Sequence, residues 1–243
     1  MNNSDLKGKI PVPFLTNNGE YKCEDDDGIY LLYEYIDGVT IGDQVLTEDQ
    51  VFQLSEIISK LHLYGEEIPI DTNAVKEDFY VPFLQQLRNT LDKDYEDIPN
   101  DVRKIVAPHI EQLNHLIDTV EKLSLCLKNS HLRMALCHTD LHNWNLMQSE
   151  QRLILIDWEG LKLAPVEADL MFLIDKPYYD IFSSIYQKSH KNYKINSNAM
   201  QFYKGRRKLE DIWEFIEQLA FDKSNAQERA RIINYLIEEL NDI

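Results

Sequence analysis

A short segment rich in polar side chains lies between two apolar stretches near the middle of the chain. It contains His138, Asp140 and His142, and Asn145 follows at the spacing His-x-Asp-x-x-x-x-Asn. A second apolar stretch then ends at Asp157. This order is typical of a kinase catalytic loop followed by its magnesium-binding aspartate. The segment therefore predicts phosphoryl transfer, with Asp140 accepting the proton of an acceptor hydroxyl.

The positions of Asn145 and Asp157 predict that both residues face the same point. The apolar stretches on either side of Gln148–Gln151 are predicted to form a hairpin, with Asn145 at its start and Asp157 just past its end. Both residues offer oxygen atoms, which Mg²⁺ prefers, and substrate phosphates and water can complete its octahedron. We therefore expect a magnesium site at this end of the hairpin.

The same loop allows a second interpretation, a metal hydrolase. His138, Asp140 and His142 are residue types that hydrolytic zinc sites use as ligands. Against this interpretation, no further cluster of His or Cys lies nearby, and the apolar strand ending at Asp157 would have no role. Tightly bound zinc would favour the hydrolase, whereas weakly bound magnesium would favour the kinase.

The start of the chain favours short β-strands. Asn17–Gly19 and Asp26–Gly28 are sequences typical of tight turns. Around them, Val12–Thr16, Glu20–Cys23 and Ile29–Ile36 are predicted strands, the last because it is rich in aromatic and β-branched residues.

The pattern then becomes helical. Thr47 and Gln50 fit the first and last positions of a capping box, which predicts the start of a helix. Apolar residues recur at helical spacing in the segments that follow, so the body of the protein is predicted to be mostly helical. The predicted helical segments include Val51–Leu61, Ile110–Leu123, Leu209–Leu219 and Ala226–Leu240.

Composition limits the partners and the compartment. The 42 acidic and 25 basic residues give a net charge of −17, which disfavours nucleic acid and would attract a cationic small molecule. No apolar run is long enough to span a membrane, and the N-terminus has no apolar signal core. Cys23, Cys126 and Cys137 form no CxxC pair, which favours reduced thiols in a cytoplasmic protein.

Several segments together resemble one family. His138–His142 with Asn145 resembles the catalytic loop of the aminoglycoside phosphotransferases and their choline-kinase-like relatives, and Ile156–Glu159 resembles their metal-binding segment. Within the family, Trp158–Gly160 and Leu163–Pro165 favour the spectinomycin-type branch. Three further resemblances are the hinge segment Leu32–Gly38, the helix Leu54–His62 that ends in Leu-His, and Pro165–Leu170, whose aspartate braces the catalytic loop.

The resemblance implies an α+β, protein-kinase-like fold. Residues 1–37 would be the last strands and hinge of an N-terminal lobe, and residues 38–243 a helical lobe for catalysis and acceptor binding. ATP and Mg²⁺ would be required, and the acceptor would be a small cationic molecule of the aminoglycoside or aminocyclitol type. The implied site comprises Asp140, His138 and His142 for catalysis, Glu34, Tyr35 and Ile36 for adenine, and Asn145 and Asp157 for magnesium.

The sequence departs from the family in the region that grips ATP phosphates. It contains no Gly-rich phosphate loop, and no strand lysine paired with a helix glutamate precedes the hinge segment. We therefore expect these 243 residues alone to transfer phosphate poorly, or to act as a catalytically inactive binding module. The exposed strand edge would favour self-association or a complementing N-terminal lobe.

Overall fold

The computed structural model describes residues 6–65, 67–68, 71–91, 98–191, 193–223 and 225–243. The chain divides into two compact units. The first unit comprises Met1–Lys76 with Arg133–Lys194, and the second comprises Glu77–Leu132 with Ile195–Ile243. All the site residues predicted from the sequence lie in the first unit. The predicted division between an N-terminal lobe over residues 1–37 and a helical lobe over residues 38–243 is a different division of the chain, and it stays a prediction.

Short antiparallel strands in the first unit frame the predicted catalytic loop. In chain order the strands of the described residues are β1 (Cys23–Asp25), β2 (Gly28–Tyr30), β3 (Val39–Thr40), β4 (Met134–Cys137), β5 (Leu146–Ser149), β6 (Arg152–Leu155) and β7 (Lys162–Pro165). β4 pairs with β7, and β5 lies between β3 and β6 in a second sheet. Residues 138–145 therefore join a strand of one sheet to a strand of the other.

The hairpin predicted around residues 148–151 is confirmed. In β5 and β6, Leu146 lies opposite Leu155 and Ser149 opposite Arg152. The pairing continues one step beyond the strands, because the Ile156 amide donates to the Asn145 carbonyl at 2.9 Å. Asn145 and Asp157 are thus at neighbouring positions at the open end of the hairpin.

The N-terminal strands are shorter than the sequence predicts. The Asn17–Gly19 turn forms, with Gly19 at φ 80°, but Val12–Thr16 makes only one bridge, between Pro13 and Tyr33. The strand expected over Ile29–Ile36 ends at Tyr30. In the hinge segment the Leu32 and Tyr35 side chains are 71% and 87% exposed. Among the described residues little packs on this segment, so β propensity alone does not extend the ladder.

The predicted helical body is confirmed. In chain order the helices of the described residues are α1 (Glu48–Leu61), α2 (Leu84–Thr90), α3 (Asn100–Val106), α4 (Ile110–Lys128), α5 (Glu167–Leu170), α6 (Tyr179–Ser189), α7 (Ser197–Phe221) and α8 (Ala226–Asn241). Thr47 and Gln50 form the capping box of α1 in both directions. No helix of the described residues is long and apolar enough to cross a membrane.

Each unit has its own core. In the first unit α1 packs on α6, and its buried stripe includes Leu54, Ile57 and Leu61. In the second unit α7 packs on both α4 and α8. A Cβ at Gly205 would lie 2.8 Å from the Val120 side chain, so a glycine is required for α7 to approach α4 this closely. The first unit thus has a core that positions the site.

Candidate active site

The catalytic loop is anchored by one buried carboxylate. Asp169 is fully buried at α5, and its Oδ2 accepts from the His138 amide at 3.0 Å, while Oδ1 accepts from the Thr139 amide at 2.6 Å. The His62 ring donates to Oδ2 at 2.9 Å. A buried charge is tolerated when such donors surround it. Asp169 therefore fixes the backbone at the start of the loop, as the family resemblance implies.

Thr139 has a left-handed backbone conformation that its neighbours maintain. Its φ is 70°, which is uncommon for a β-branched residue, and its hydroxyl donates to the Gly160 carbonyl at 2.7 Å. A Cβ at Gly160 would lie 2.6 Å from that hydroxyl oxygen and 3.2 Å from the His138 carbonyl oxygen. Gly160 therefore allows the segment before β7 to approach the loop closely.

His138 holds the loop rather than presenting a free ring. Its side chain is buried, its Nε2 donates to the Ile156 carbonyl at 2.8 Å, and its Nδ1 accepts from the Asp140 amide at 3.3 Å. Trp158 packs edge-on against the ring, with 4.8 Å between ring centroids. Both ring nitrogens are therefore engaged, and His138 connects the loop to the end of β6.

Asp140, His142 and Asn145 form a hydrogen-bonded group. Asn145 donates through Nδ2 to the Asp140 carbonyl at 3.0 Å and to its Oδ2 at 2.8 Å. The His142 Nε2 lies 3.0 Å from the same Oδ2. The two Asp140 oxygens accept only, so the Asn145 amide nitrogen must face them and its amide oxygen must point elsewhere. This leaves an oxygen suited to a cation on a side chain that is otherwise buried.

Asp157 supplies an exposed carboxylate beside this group. It has φ 63° and follows Ile156, whose amide pairs with Asn145. Non-glycine residues with positive φ are frequent at functional sites, where the surrounding structure maintains the strain. The structure thus brings together four of the predicted site residues, Asp140, His142, Asn145 and Asp157, while His138 lies directly behind them.

The hydrolase interpretation is not supported by this geometry, because His138 has no ring nitrogen left for a metal. Among the described residues, the only three ligand-type side chains that converge are His62, Cys137 and Asp169, whose ligand atoms lie within 4.8 Å. The 2.9 Å between His62 Nε2 and Asp169 Oδ2 is a hydrogen bond. Two ligands of one tetrahedral zinc would be about 3.3 Å apart, given its bond lengths.

The predicted adenine-binding residues line a pocket on the same unit. Glu34, Tyr35 and Ile36 border a cavity of about 510 Å³ together with hairpin residues that include Ser149 and Ile154. The Ser149 hydroxyl donates to the Asp37 carbonyl at 2.7 Å. A Cβ at Gly38 would lie 2.6 Å from the Gln148 carbonyl oxygen. The hinge segment is therefore held against the hairpin through its backbone.

The sequence predicts candidate site residues but does not indicate all of the residues that support them. The Leu-His end of α1 is recognisable in the sequence, yet nothing in the sequence indicates that His62 contacts Asp169. Gly38 and Gly160 are required by close backbone approaches, which depend on tertiary structure. Trp144 is 56% exposed, and its indole lies against Gly42, where a Cβ would be 3.2 Å from the ring.

Comparison with known proteins identifies a family whose model matches most of the chain. Residues 2–203 match the model of the phosphotransferase enzyme family. No curated protein matches the chain in sequence.

Solved structures share the fold. The chain is similar to the spectinomycin phosphotransferase APH(9)-Ia bound to ADP and spectinomycin, with a TM-score of 0.74 and 22% identity over 95% of this chain and 73% of that one. An aminoglycoside phosphotransferase from Alicyclobacillus acidocaldarius gives a TM-score of 0.58, 13% identity and coverages of 97% and 78%. The choline kinase LicA from Streptococcus pneumoniae gives a TM-score of 0.53 and 16% identity over 98% of this chain and 77% of that one. At these identities the likeness shows a kinase-like fold.

Proposed function

Because the chain belongs to the phosphotransferase enzyme family, we propose that it catalyses the transfer of a phosphoryl group from ATP to a hydroxyl group of a small cationic molecule. The observation that carries the proposal is the hydrogen-bonded group of Asp140 and Asn145 next to Asp157. Phosphoryl transfer needs mainly positioning and charge stabilisation, and these residues supply a base and hard oxygen ligands.

Asp140 is the proposed base. Its Oδ2 accepts from Asn145 and lies 3.0 Å from His142 Nε2, and these contacts orient the carboxylate. In this position it would orient the acceptor hydroxyl and accept its proton as the oxygen attacks the γ-phosphorus. His142 would hold the carboxylate in place, and His138 would hold the loop.

Magnesium fits the residues at the open end of the hairpin. Asp157 is an exposed carboxylate, and Asn145 has its amide oxygen directed away from its hydrogen-bond partners. Such oxygen donors suit Mg²⁺, which keeps several positions for phosphate and water. Bound there with nucleotide, the ion would neutralise negative charge on the phosphates.

The nucleotide and acceptor assignments rest on separate observations. Glu34, Tyr35 and Ile36 line a pocket against the hairpin, which supports adenine binding to the hinge segment. The spectinomycin phosphotransferase of similar fold binds ADP and spectinomycin. The net charge of −17 would attract a cationic acceptor. An aminocyclitol or aminoglycoside therefore fits as the acceptor class.

The test is an assay of the purified 243-residue protein with ATP, Mg²⁺ and a panel of aminocyclitol and aminoglycoside acceptors. We expect acceptor-dependent ADP release, a phosphorylated product by mass spectrometry, and loss of both in Asp140→Asn. Asp222→Asn, an exposed carboxylate at the end of α7, is the matched control. Because no Gly-rich loop is present, we expect turnover below the roughly one per second at which kinases begin.

One result would count against phosphoryl transfer and another against the role of Asp140. Nucleotide binding without any product across the panel would favour the alternative, a binding module. Product formation that persists in Asp140→Asn would remove Asp140 from its proposed role.

A further inference from the structure

We propose that Tyr186 is a positioning residue for the catalytic loop, acting through His62 and Asp169. The inference rests on the proposed function, since this loop carries the proposed base. Tyr186 lies on α6, outside every motif singled out in the sequence.

A continuous chain of hydrogen bonds joins α6 to the loop. The Tyr186 hydroxyl oxygen lies 2.9 Å from His62 Nδ1, and His62 Nε2 lies 2.9 Å from Asp169 Oδ2. Asp169 in turn accepts from the amides of His138 and Thr139. Tyr186, His62 and Asp169 are all buried, at 3%, 1% and 0% exposure. The loop is therefore connected to a helix that contributes no group to the reaction.

The acceptor at one end of this hydrogen-bond chain fixes one proton of His62. The Asp169 carboxylate accepts only, so His62 must donate to it through Nε2. When Nδ1 carries no proton it is an acceptor, and the Tyr186 hydroxyl is the donor within reach of it. Burial raises the pKa of Tyr186, so the hydroxyl keeps its proton. The Asp169 carboxylate thus fixes the proton on Nε2, and the Tyr186 hydroxyl completes the hydrogen bonding of the His62 ring from its other side, as outer partners of site histidines commonly do.

The ring of Tyr186 is itself held in place. It stacks on Phe182 with 5.6 Å between centroids and on His190 with 4.2 Å, both nearly parallel. His190 Nε2 donates to the Ser59 carbonyl on α1 at 2.8 Å. The hydroxyl is therefore fixed relative to the end of α1, where His62 lies.

A substitution that removes only the Tyr186 hydroxyl tests whether this group positions the loop. Tyr186→Phe keeps the stacked ring but leaves His62 Nδ1 without its donor in a buried site. We expect the His62 ring to lose its fixed position, because only the hydrogen bond to Asp169 then orients it, and its donation to Asp169 to weaken. The amides of His138 and Thr139 would then exchange with solvent about tenfold faster, and kcat would fall about tenfold with KM for ATP unchanged.

The experiment compares Tyr186→Phe with Tyr179→Phe, the same substitution two turns earlier on α6. Amide hydrogen exchange is measured at His138 and Thr139, with Leu54 and Ile57 in α1 as references for general stability. Ring ¹⁵N shifts of His62 report its tautomer in the wild type and in both variants. We expect selective loss of protection and a changed His62 signal only in Tyr186→Phe.

Two results would overturn the proposal. One is that protection at His138 and Thr139 in Tyr186→Phe falls no more than at the α1 references. The other is a measurement on the wild type alone, in which the ¹⁵N shifts show that His62 carries its only ring proton on Nδ1. If the wild type shows no turnover, the exchange and ¹⁵N measurements still decide the role of Tyr186, and the failure counts only against the proposed function.

Discussion

One oxygen of the Asp140 carboxylate accepts from the Asn145 amide and lies 3.0 Å from the His142 Nε2. We expect Asp140→Asn to lower turnover at least about 100-fold, because the amide cannot accept the acceptor proton. Nucleotide affinity should stay unchanged. The free energy of unfolding should change by less than about 1 kcal/mol, because the side chain is partly exposed. Steady-state kinetics and urea unfolding, each beside Asp222→Asn, measure these effects; near-normal turnover would contradict the assignment.

The exposed carboxylate of Asp157 gives a separate prediction. Asp157→Asn removes a charge but suits a positive φ, since asparagine tolerates that conformation better than most residues. The variant should therefore fold normally. It should need an about tenfold higher Mg²⁺ concentration to bind nucleotide, since losing a metal ligand or its support typically costs at least that much affinity.

Glu159→Gln is the control for Asp157, since it also removes an exposed negative charge nearby. Titration of Mg²⁺ at fixed nucleotide concentration, followed by calorimetry, separates the two positions. An equal shift in both variants would mean that general electrostatics, rather than coordination, explains the magnesium dependence.

At the scale of elements, the hinge segment depends on one glycine. A Cβ at Gly38 would lie 2.6 Å from a backbone oxygen of β5, and the backbone cannot rotate away as a side chain can. We expect Gly38→Ala to separate the hinge segment from the hairpin, to destabilise the protein by about 1–3 kcal/mol, and to weaken nucleotide binding.

Gly28→Ala is the matched control, because a Cβ there meets nothing within 4 Å and the residue has no positive φ. Thermal unfolding and nucleotide titration of both variants test the prediction. If Gly38→Ala unfolds and binds like Gly28→Ala, the close approach has no role in positioning the hinge segment.

The contact between α1 and α6 should make stability depend on pH. Burial lowers the pKa of His190, and His62 and Arg133 lower it further, while its hydrogen bond to Ser59 acts the other way. The unfolded chain, with the ordinary value of 6.5, then binds more protons than the folded one. This contribution to stability is complete above pH 6.5 and is lost as the pH falls through the folded pKa.

Unfolding free energies of the wild type and His190→Gln, measured between pH 5 and 8, test this prediction. We expect the wild type to lose more stability than His190→Gln on acidification. His115→Gln, an exposed histidine on α4, should follow the wild type. Parallel curves for the wild type and His190→Gln would contradict the assigned shift.

A comparison of the predicted elements with the observed ones shows which elements local sequence determines. The capping box at Thr47 and the apolar stripes of α1 and α4 depend on residues within one helix, so they could be predicted. The hairpin around residue 150 could also be predicted from two apolar stretches and their spacing. By contrast, the strand expected over Ile29–Ile36 depends on a partner as well as on propensity, and it ends early.

The candidate site likewise contains residues that local sequence predicts and residues whose contacts depend on tertiary structure. Asp140, Asn145 and Asp157 could be predicted as a base and magnesium ligands from their types and spacing, because phosphoryl transfer needs such groups at fixed separations, and these roles stay predictions. Their supports could not be derived in this way. Tyr186 and His62 are 124 residues apart and meet only because α1 packs on α6. A hydrogen bond between such distant residues leaves no periodic pattern.

For the molecule as a whole, the exposed side chains of the hinge segment coexist with a net charge of −17. In dilute buffer the charge keeps copies apart, whereas salt shortens the range of that repulsion to about 10 Å at 0.1 M and leaves the apolar attraction intact. Added salt should therefore lower the colloidal stability of this protein rather than raise it. The second virial coefficient from light scattering should fall with ionic strength, and it should fall less in Leu32→Asn.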